Sequence, residues 1–385
     1  MIPRRMTPES DQRSCPNGSL TNWTVSRGES PSRRAKPLTP WLPSSEGISL
    51  AGPNGSRKEA RLMPDSSGAL SVLRQALEEV GAKLLVNEPL SAHTSYRIGG
   101  PADLFIRVES RDELCRTVAL AREYQVPYFL LGAGTNILVS DKGIRGLVIG
   151  NRARGSSFEV RGGEAILWAE AGALLKDLVE ESVRRGLAGL EWAVGIPGTV
   201  GGAVVGNAGA YGGYVSDILA QVAILQANGE IQELRAEELG FDYRTSRFKA
   251  TNREIGASVP SLAALPVILG AQFKLHPESV DVLQERVAKY TRQRQARQPS
   301  EPSAGSVFKR TTQYPAGFLI EQAGLMGKRI GDAQISLKHA NFIVNLGEAR
   351  ASDVKALMEV ARDAVCKQFG IELELEQELV GEWDG

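Results

Sequence analysis

The chain has 385 residues, of which 42% are hydrophobic and 23% are charged, and 41 are glycine. These values are typical of a soluble globular protein with two or three compact units, although glycine exceeds its usual share of about 7%. The 45 basic and 45 acidic residues cancel, and no apolar run reaches the roughly 18 residues of a membrane helix. The sequence therefore indicates neither a nucleic-acid partner nor a membrane partner.

Cysteine and histidine are few and widely spaced. They are Cys15, Cys115, Cys366, His93, His276 and His339. An odd number of distant cysteines excludes a disulfide framework and fits a reducing compartment. The histidines lack the spacing of metal ligands. We therefore expect a cytoplasmic protein without a metal site, and a monomer or at most a weak dimer.

The first 62 residues differ in composition from the rest of the chain. They contain ten Lys/Arg and five Asp/Glu, and nine of the 19 prolines lie in the first 64 residues. The segment lacks apolar periodicity and the continuous hydrophobic stretch of a signal peptide. We predict that residues 1–65 are a disordered or mistranslated extension, with Met63 as the alternative start. A basic docking or targeting arm is the other interpretation.

From residue 66 onward, helical and strand patterns alternate. Apolar residues at helical spacing predict helices at about 68–80, 111–124, 174–185, 277–297 and 352–368. Short apolar runs predict strands at 84–86, 102–108, 128–131, 137–139, 147–149 and 341–345, and a polar-alternating strand at 371–380. The basic residues of the helix at 277–297 predict a solvated face.

This alternation predicts an α+β fold with several units. We place a first lobe at about 66–150 and a second lobe at 151–275. A helical linker at 276–300 then leads into a smaller C-terminal domain at 301–385.

Two glycine-rich blocks are candidate ligand-binding surfaces. Residues 132–136 follow an apolar strand, so their backbone N–H groups can face a phosphate. Ile137 leaves the Rossmann fingerprint incomplete, and a simple turn is the alternative. Residues 195–213 contain eight glycines, as expected where backbone approaches a large planar or phosphorylated ligand. A ligand-free irregular loop is the alternative there. Together the blocks are compatible with a dinucleotide held between two lobes.

Seven ordered blocks resemble the UDP-N-acetylenolpyruvoylglucosamine reductase family over about residues 88–381. They are His93–Ala102, Gly132–Asn136, Gly189–Gly213, Phe241–Phe248, Ser303–Lys309, Lys338–Asn345 and Phe369–Glu376. The run at 207–212 resembles the shorter subgroup, which lacks an extra tyrosine loop. The resemblance implies a two-lobed FAD-binding domain of the vanillyl-alcohol-oxidase type, followed by a smaller α+β substrate-binding domain. It also implies noncovalent FAD, NADPH as reductant and the enolpyruvyl ether of UDP-N-acetylglucosamine as substrate.

The resemblance also implies roles for three residues. Ser306 matches the general acid that protonates the enol carbon, and Arg244 matches the partner of the substrate carboxylate. Glu376 matches a carboxylate that polarises the site. The alternatives are a loop hydroxyl for Ser306, a surface side chain for Arg244 and a solvated strand edge for Glu376.

Contacts to cofactor and substrate follow from the same resemblance. The expected cofactor contacts are Gly132, Ala133, Gly134, Thr135, Asn136, Ile137, Thr199, Gly201, Gly202, Asn207, Gly209 and Ala210. The expected substrate contacts are Tyr211, Lys309 and His339. For His339 and Tyr211, purely structural roles are the alternative. The chain departs from the family pattern at Gly206, Arg310 and Leu337.

Two other functions compete with this interpretation. One is a different FAD-dependent oxidoreductase of the same superfamily, many members of which tether FAD through His or Cys. The other is a flavin- or UDP-sugar-binding protein without catalytic activity.

Overall fold

The computed structural model describes residues 66–250 and 266–383, so the predicted extension at residues 1–65 lies outside the described part. The helices are α1 Ser66–Glu79, α2 Arg111–Glu123, α3 Leu175–Arg184, α4 Val200–Val205, α5 Val215–Ile218, α6 Arg247–Ala250, α7 Val280–Arg297, α8 Ala316–Gln322 and α9 Ala351–Phe369. The strands are β1 Leu84–Pro89, β2 Pro101–Val108, β3 Tyr128–Leu131, β4 Ile137–Val139, β5 Ile144–Asn151, β6 Ser156–Arg161, β7 Glu164–Glu170, β8 Leu187–Ala188, β9 Gly209–Ala210, β10 Gly213–Tyr214, β11 Leu219–Leu225, β12 Ile231–Arg235, β13 Val267–Pro277, β14 Arg329–Ile330, β15 Ala333–Ile335, β16 Ile343–Asn345 and β17 Glu378–Val380.

The first sheet has the strand order β1-β2-β5-β3. β1 is antiparallel to β2, whereas β2 and β3 both run parallel to β5. The central strand β5 is buried at every position except Arg145, as expected for a parallel strand covered on both faces. The apolar core beneath includes Phe105, Leu131 and Val148. The first glycine block is the turn that leaves this sheet after β3.

The second sheet has the strand order β12-β11-β13-β7-β6, and β8 pairs with the end of β13. All of its pairings are antiparallel. The eleven-residue β13 lies at its centre and is buried over most of its length. Leu167, Val222 and Phe273 contribute to the core, which α3 and α4 also enter through Leu178 and Val204. The second glycine block packs on this lobe.

The C-terminal part contains the antiparallel sheet β14-β15-β16 together with α8 and α9. Its core includes Phe308, Leu319 and Leu357. The last strand, β17, leaves this core and pairs in parallel with β4. Val380 consequently packs in the core of the first sheet. The end of the chain is therefore joined by main-chain pairing to the strand that follows the first glycine block.

Most predicted elements are confirmed, with boundaries shifted by a few residues, and the α+β prediction holds. The predicted strand at 371–380 is wrong for most of its length, because only Glu378–Val380 forms a strand. The preceding residues pair instead with a loop, through the Phe308–Leu375 bridge and the hydrogen bond from Lys309 N to Glu374 O. No helix within residues 66–250 or 266–383 is both long enough and apolar enough to span a membrane.

Candidate active site

Both glycine blocks line a single cleft with a volume of about 640 Å³. All five residues of the first block, Gly132–Asn136, line this cleft, as does the following residue, Ile137. The second block contributes residues on either side of the short helix α4 and within it, among them Gly198, Thr199 and Gly202. The two blocks also touch each other, because the Thr135 hydroxyl donates to Pro197 O over 2.9 Å.

Close packing explains why the first block needs glycine. Gly134 has φ +62°, and a Cβ added there would lie 2.9 Å from Thr94 Cα and closer still to His93 O. At Gly132 an added Cβ would lie 2.6 Å from Thr199 Oγ1. A side chain at Gly132 would push the two blocks apart, and one at Gly134 would displace the backbone of His93 and Thr94.

The wall formed by α4 has room for a flat ligand. A Cβ added at Gly202 would come no closer than 3.6 Å to Thr199 Oγ1, and one at Gly206 no closer than 3.6 Å to Gly202 O. Side chains at either position would therefore project into cleft space that glycine leaves open. Exposed backbone on both sides of a cleft of this size fits a large, partly planar dinucleotide such as FAD.

A second pocket, of about 550 Å³, opens beside the cleft. Unlike the cleft, it is lined by large and polar side chains, including Tyr243, Phe318, Lys338 and His339. Three residues line both cavities. They are Arg244, Ser306 and Glu376. The structure thus brings together the three predicted catalytic residues, although the first and the last are 132 residues apart in the chain. They lie at the place where a ligand in the cleft would meet a ligand in the pocket.

Arg244 and Glu376 form a partly buried ion pair, with 2.6 Å between Arg244 Nε and Glu376 Oε1. Their side chains are 25% and 12% exposed. Arg244 adopts φ +55°, a left-handed conformation that is costly for a residue with a Cβ and that clusters at functional sites. Burial raises the pKa of Glu376 above its usual range, while the positive charges of Arg244, Lys249 and Lys309 oppose this shift.

The Ser306 loop is held by backbone hydrogen bonds on both sides. Val307 N donates to Asn341 O over 2.9 Å, and the Asn341 side chain exchanges two hydrogen bonds with the backbone of Phe308. On the other side, the Gln377 amide donates to Gly305 O over 3.1 Å, and Glu376 N donates to Val307 O over 2.8 Å. The backbone that carries Ser306 is therefore bonded directly to the segment that carries Glu376.

The remaining predicted contacts fall into two groups. Eleven of the twelve predicted cofactor residues line the cleft, whereas Asn207 does not. Its side chain donates to Asp242 O and accepts from Ser216 N. His339 lines the pocket, and burial lowers its pKa.

Tyr211 and Lys309, two predicted substrate contacts, bond to other residues of the protein. The Tyr211 hydroxyl donates to Tyr290 O, and the two rings stack with centroids 4.3 Å apart. Lys309 pairs with Glu374 over 2.5 Å. Neither Tyr211 nor Lys309 is part of the lining of the cleft or the pocket in the described part of the chain. Arg310 lines the pocket, whereas Leu337 is 71% exposed.

One residue at the site, Arg294 of α7, was not predicted from the sequence. The basic face of α7 was expected to be solvated, but Arg294 lines the cleft and Arg286 pairs with the buried carboxylate of Glu191. The prediction was wrong for these two residues because the charge run lies on more than one side of the helix. The glycine at position 195 is the sequence feature that fits this contact, since a Cβ there would lie 2.7 Å from Arg294 Cδ.

Comparison with known proteins connects this geometry to a family. Residues 297–380 match the C-terminal domain of UDP-N-acetylenolpyruvoylglucosamine reductase, and residues 102–235 match an FAD binding domain. A UDP-N-acetylenolpyruvoylglucosamine reductase from Moorella thermoacetica is 44% identical over 308 residues, which cover 79% of this chain and 96% of the relative. The chain belongs to the UDP-N-acetylenolpyruvoylglucosamine reductase family.

Two further relatives agree with this assignment. UDP-N-acetylenolpyruvoylglucosamine reductase 2 from Symbiobacterium thermophilum is 41% identical over 310 residues, covering 80% of this chain and 96% of the relative. The crystal structure of the reductase from Thermus caldophilus superposes with a TM-score of 0.63 at 37% identity, covering 77% of this chain and 98% of that one. The predicted fold, the FAD-binding domain and the enzyme class are therefore confirmed. The chain is an FAD-binding oxidoreductase of the reductase family.

Proposed function

We propose that this enzyme reduces the enolpyruvyl ether of UDP-N-acetylglucosamine to UDP-N-acetylmuramate, with NADPH as the electron donor, in the synthesis of peptidoglycan precursors. The observation that carries the proposal is the shared wall of the two cavities. The cleft fits FAD, the pocket offers side chains for a polar ligand, and Arg244, Ser306 and Glu376 line both.

The reaction adds a hydride to the terminal alkene carbon and a proton to the neighbouring carbon. FAD held between the two glycine blocks would provide the hydride for this addition, with NADPH as the source of the electrons. Negative charge then accumulates on the substrate carboxylate and the carbon beside it. A guanidinium at this point stabilises that charge, and Arg244 lies at the junction of the two cavities where the substrate carboxylate would arrive.

In this proposal Ser306 delivers the proton. A hydroxyl is a weak acid, so it needs fixed placement against the carbon that it protonates. The hydrogen bonds from Asn341 and Gln377 to the surrounding backbone supply that rigidity. Glu376, paired with Arg244, keeps the guanidinium oriented and polarises the junction.

The pocket suits the UDP-sugar portion of the substrate. Tyr243 and Phe318 are 41% and 45% exposed and offer ring faces, while Arg310 and Lys338 offer positive charge. Burial lowers the pKa of His339, so its ring is neutral at neutral pH and can donate or accept a hydrogen bond. These groups match the base, phosphate and sugar parts of such a ligand.

Noncovalent attachment of FAD is part of the proposal. Among the described residues that line the cleft there is no histidine or cysteine to which a flavin could be tethered. Acid precipitation of the yellow protein should release all of the flavin into the supernatant. Flavin that stays with the washed precipitate would favour the competing superfamily oxidoreductase.

Replacing Ser306 with alanine tests the mechanism. We expect Ser306→Ala to lower steady-state turnover by about 10²–10⁴-fold, while NADPH still reduces the bound flavin once at the wild-type rate. Ser300→Ala is the matched control, because Ser300 is an exposed serine six residues earlier that lines neither the cleft nor the pocket. It should retain both rates. Wild-type protein that binds FAD but never consumes NADPH in the presence of the enolpyruvyl substrate would refute the proposed function.

A further inference from the structure

One sequence block, His93–Ala102, has no part in the chemistry described so far, yet it contacts the active site through Ser95. Ser95 N donates to Gly134 O over 3.0 Å. The Ser95 hydroxyl donates to Ser303 O over 2.7 Å and also lies 3.2 Å from Gly134 O. Ser95 therefore joins the first glycine block to the loop that carries Ser306.

The last residue of the same glycine block is bonded to the other catalytic segment. The Asn136 side-chain amide donates to Glu376 O over 3.1 Å. The main chain of Asn136 accepts a hydrogen bond from Glu378 N over 3.0 Å, and the parallel pairing of β4 with β17 begins at the next residue. One residue thus binds the Glu376 segment through both its side chain and its backbone.

The packing around these hydrogen bonds is tight. Gly134 packs so tightly against the backbone of His93 and Thr94 that a single added methyl group would not fit. The glycine block is thus fixed at its middle residue, Gly134, through Ser95, and at its last residue, Asn136, through the Glu376 segment. A shift of the block would be transmitted to the Ser303–Ser306 loop and to Glu376.

We propose that Ser95 and Asn136 are positioning residues that hold the Ser306 loop and Glu376 in register with the glycine block of the cofactor cleft. Proton delivery to the substrate then depends on the same loop that lines the cofactor site. This inference rests on the roles proposed for Ser306 and Glu376. Misplacement of a reacting group by about 1 Å can cost about 100-fold in rate, so two partly buried hydrogen bonds suffice for such an effect.

The test separates the two half-reactions in the FAD-loaded enzyme by stopped-flow absorbance. In Asn136→Ala and Ser95→Ala we expect NADPH to reduce the flavin within about twofold of the wild-type rate. Oxidation of the reduced enzyme by saturating enolpyruvyl substrate should slow by about ten- to a hundredfold. Ser95→Thr keeps the hydroxyl and should restore most of the rate. Gln334→Ala is the control, since it removes an amide-to-backbone hydrogen bond, to Gly327 O, in the C-terminal sheet.

Two results would overturn the inference. Equal slowing of both half-reactions would mean that the substitutions damage the fold or the flavin site in general. Full recovery of the substrate rate when excess FAD is added would make Asn136 a cofactor ligand instead of a positioning residue.

A second measurement does not depend on the proposed reaction. Hydrogen exchange of the FAD-loaded enzyme should show the Glu376 and Glu378 amides exchanging about three- to tenfold faster in Asn136→Ala than in wild type, as expected for one lost hydrogen bond. Gln334→Ala should leave them unchanged. Unchanged exchange in Asn136→Ala would refute the positioning role even in an active enzyme. If Asn136→Ala exchanges faster than wild type while the wild-type enzyme does not turn over the enolpyruvyl substrate, the positioning role stands and the proposed substrate is wrong.

Discussion

The cleft and the pocket share three lining residues among those that the structure describes, but different chemical groups form the rest of their walls. Two glycine blocks, which touch through Thr135 and Pro197, contribute backbone to the walls of the cleft. The walls of the pocket are side chains, many of them aromatic or charged. Arg244, which lines both, carries a strained backbone conformation.

This difference predicts how the cleft and the pocket each select their ligand. A backbone wall recognises shape and excludes bulk, so substitutions in the cleft act by adding atoms. A side-chain wall recognises chemical groups, so substitutions in the pocket act by removing atoms. At the junction the side chains face both cavities, so loss of charge there should affect the reaction itself instead of the binding of either ligand.

The largest effect is expected at the junction. Arg244→Met should lower the rate of flavin oxidation by the enolpyruvyl substrate by about 10²–10³-fold, because the developing carboxylate charge loses its cation. Reduction of the flavin by NADPH should change little. Arg247→Met is the control, because Arg247 is exposed on the next turn of the chain. If Arg244→Met retained the wild-type substrate rate, the junction would not be the reaction site.

A smaller effect is expected in the cleft, where Gly134→Ala should weaken FAD binding at least about tenfold. The added methyl group must shift backbone atoms of His93 and Thr94, and the left-handed φ adds strain of about 1 kcal/mol or more. Flavin fluorescence titration measures the affinity. Gly240→Ala is matched for φ, at +55°, but its Cβ would meet no atom within 4 Å. Equal losses in both variants would show that strain, and not packing, controls the site.

Loss of an aromatic face should have a moderate effect in the pocket. Phe318→Ala is expected to raise the KM for the UDP-sugar substrate by about five- to tenfold with kcat nearly unchanged, since the ring contributes binding and no chemistry. The FAD affinity should not change. Val160→Ala, an exposed apolar residue outside both cavities, is the control. A fall in kcat with constant KM would contradict the division between the two cavities.

The smallest effect concerns the ionisation of Glu376. Lys249 and Arg244 oppose the upward shift that burial causes in the pKa of Glu376, so Lys249→Met should raise that pKa further. The carboxylate then takes up a proton at higher pH, and the acid limb of the kcat/KM profile should move toward neutral pH. Rates on the alkaline side should be unaffected. Lys176→Met, on the surface of α3, is the control. A shift toward lower pH would exclude an ionised Glu376 as the active form.

The sequence alone was sufficient for much of the fold. Helical and alternating patterns are local properties, so the elements were predicted to within a few residues. The ordered motifs singled out Ser306, Arg244 and Glu376, and the structure brings these three together. Two glycine-rich blocks were enough to indicate a ligand wall made of backbone, because glycine at that density has a cost that only close approach repays.

Only the tertiary structure decided which polar groups remain available. Asn207 and Asn136 both lie in glycine blocks and look equally suited to a ligand, but the Asn207 amide is bonded to Asp242 O and the Asn136 amide to Glu376 O. Arg294 belongs to a charged helix and nevertheless lines the cleft. Each of these contacts joins residues that are distant in the chain, such as Asn136 and Glu376.

Local sequence features and long-range strand pairing account for different parts of the site. Composition and glycine spacing determined that the chain folds around a backbone-lined ligand site, because they reflect local conformational preference. The parallel pairing of β17 with β4, and the junction between the cleft and the pocket, depended on the fold. Pairing between strands so distant in the chain is chosen by which apolar faces can be buried together, and that choice is made only in three dimensions.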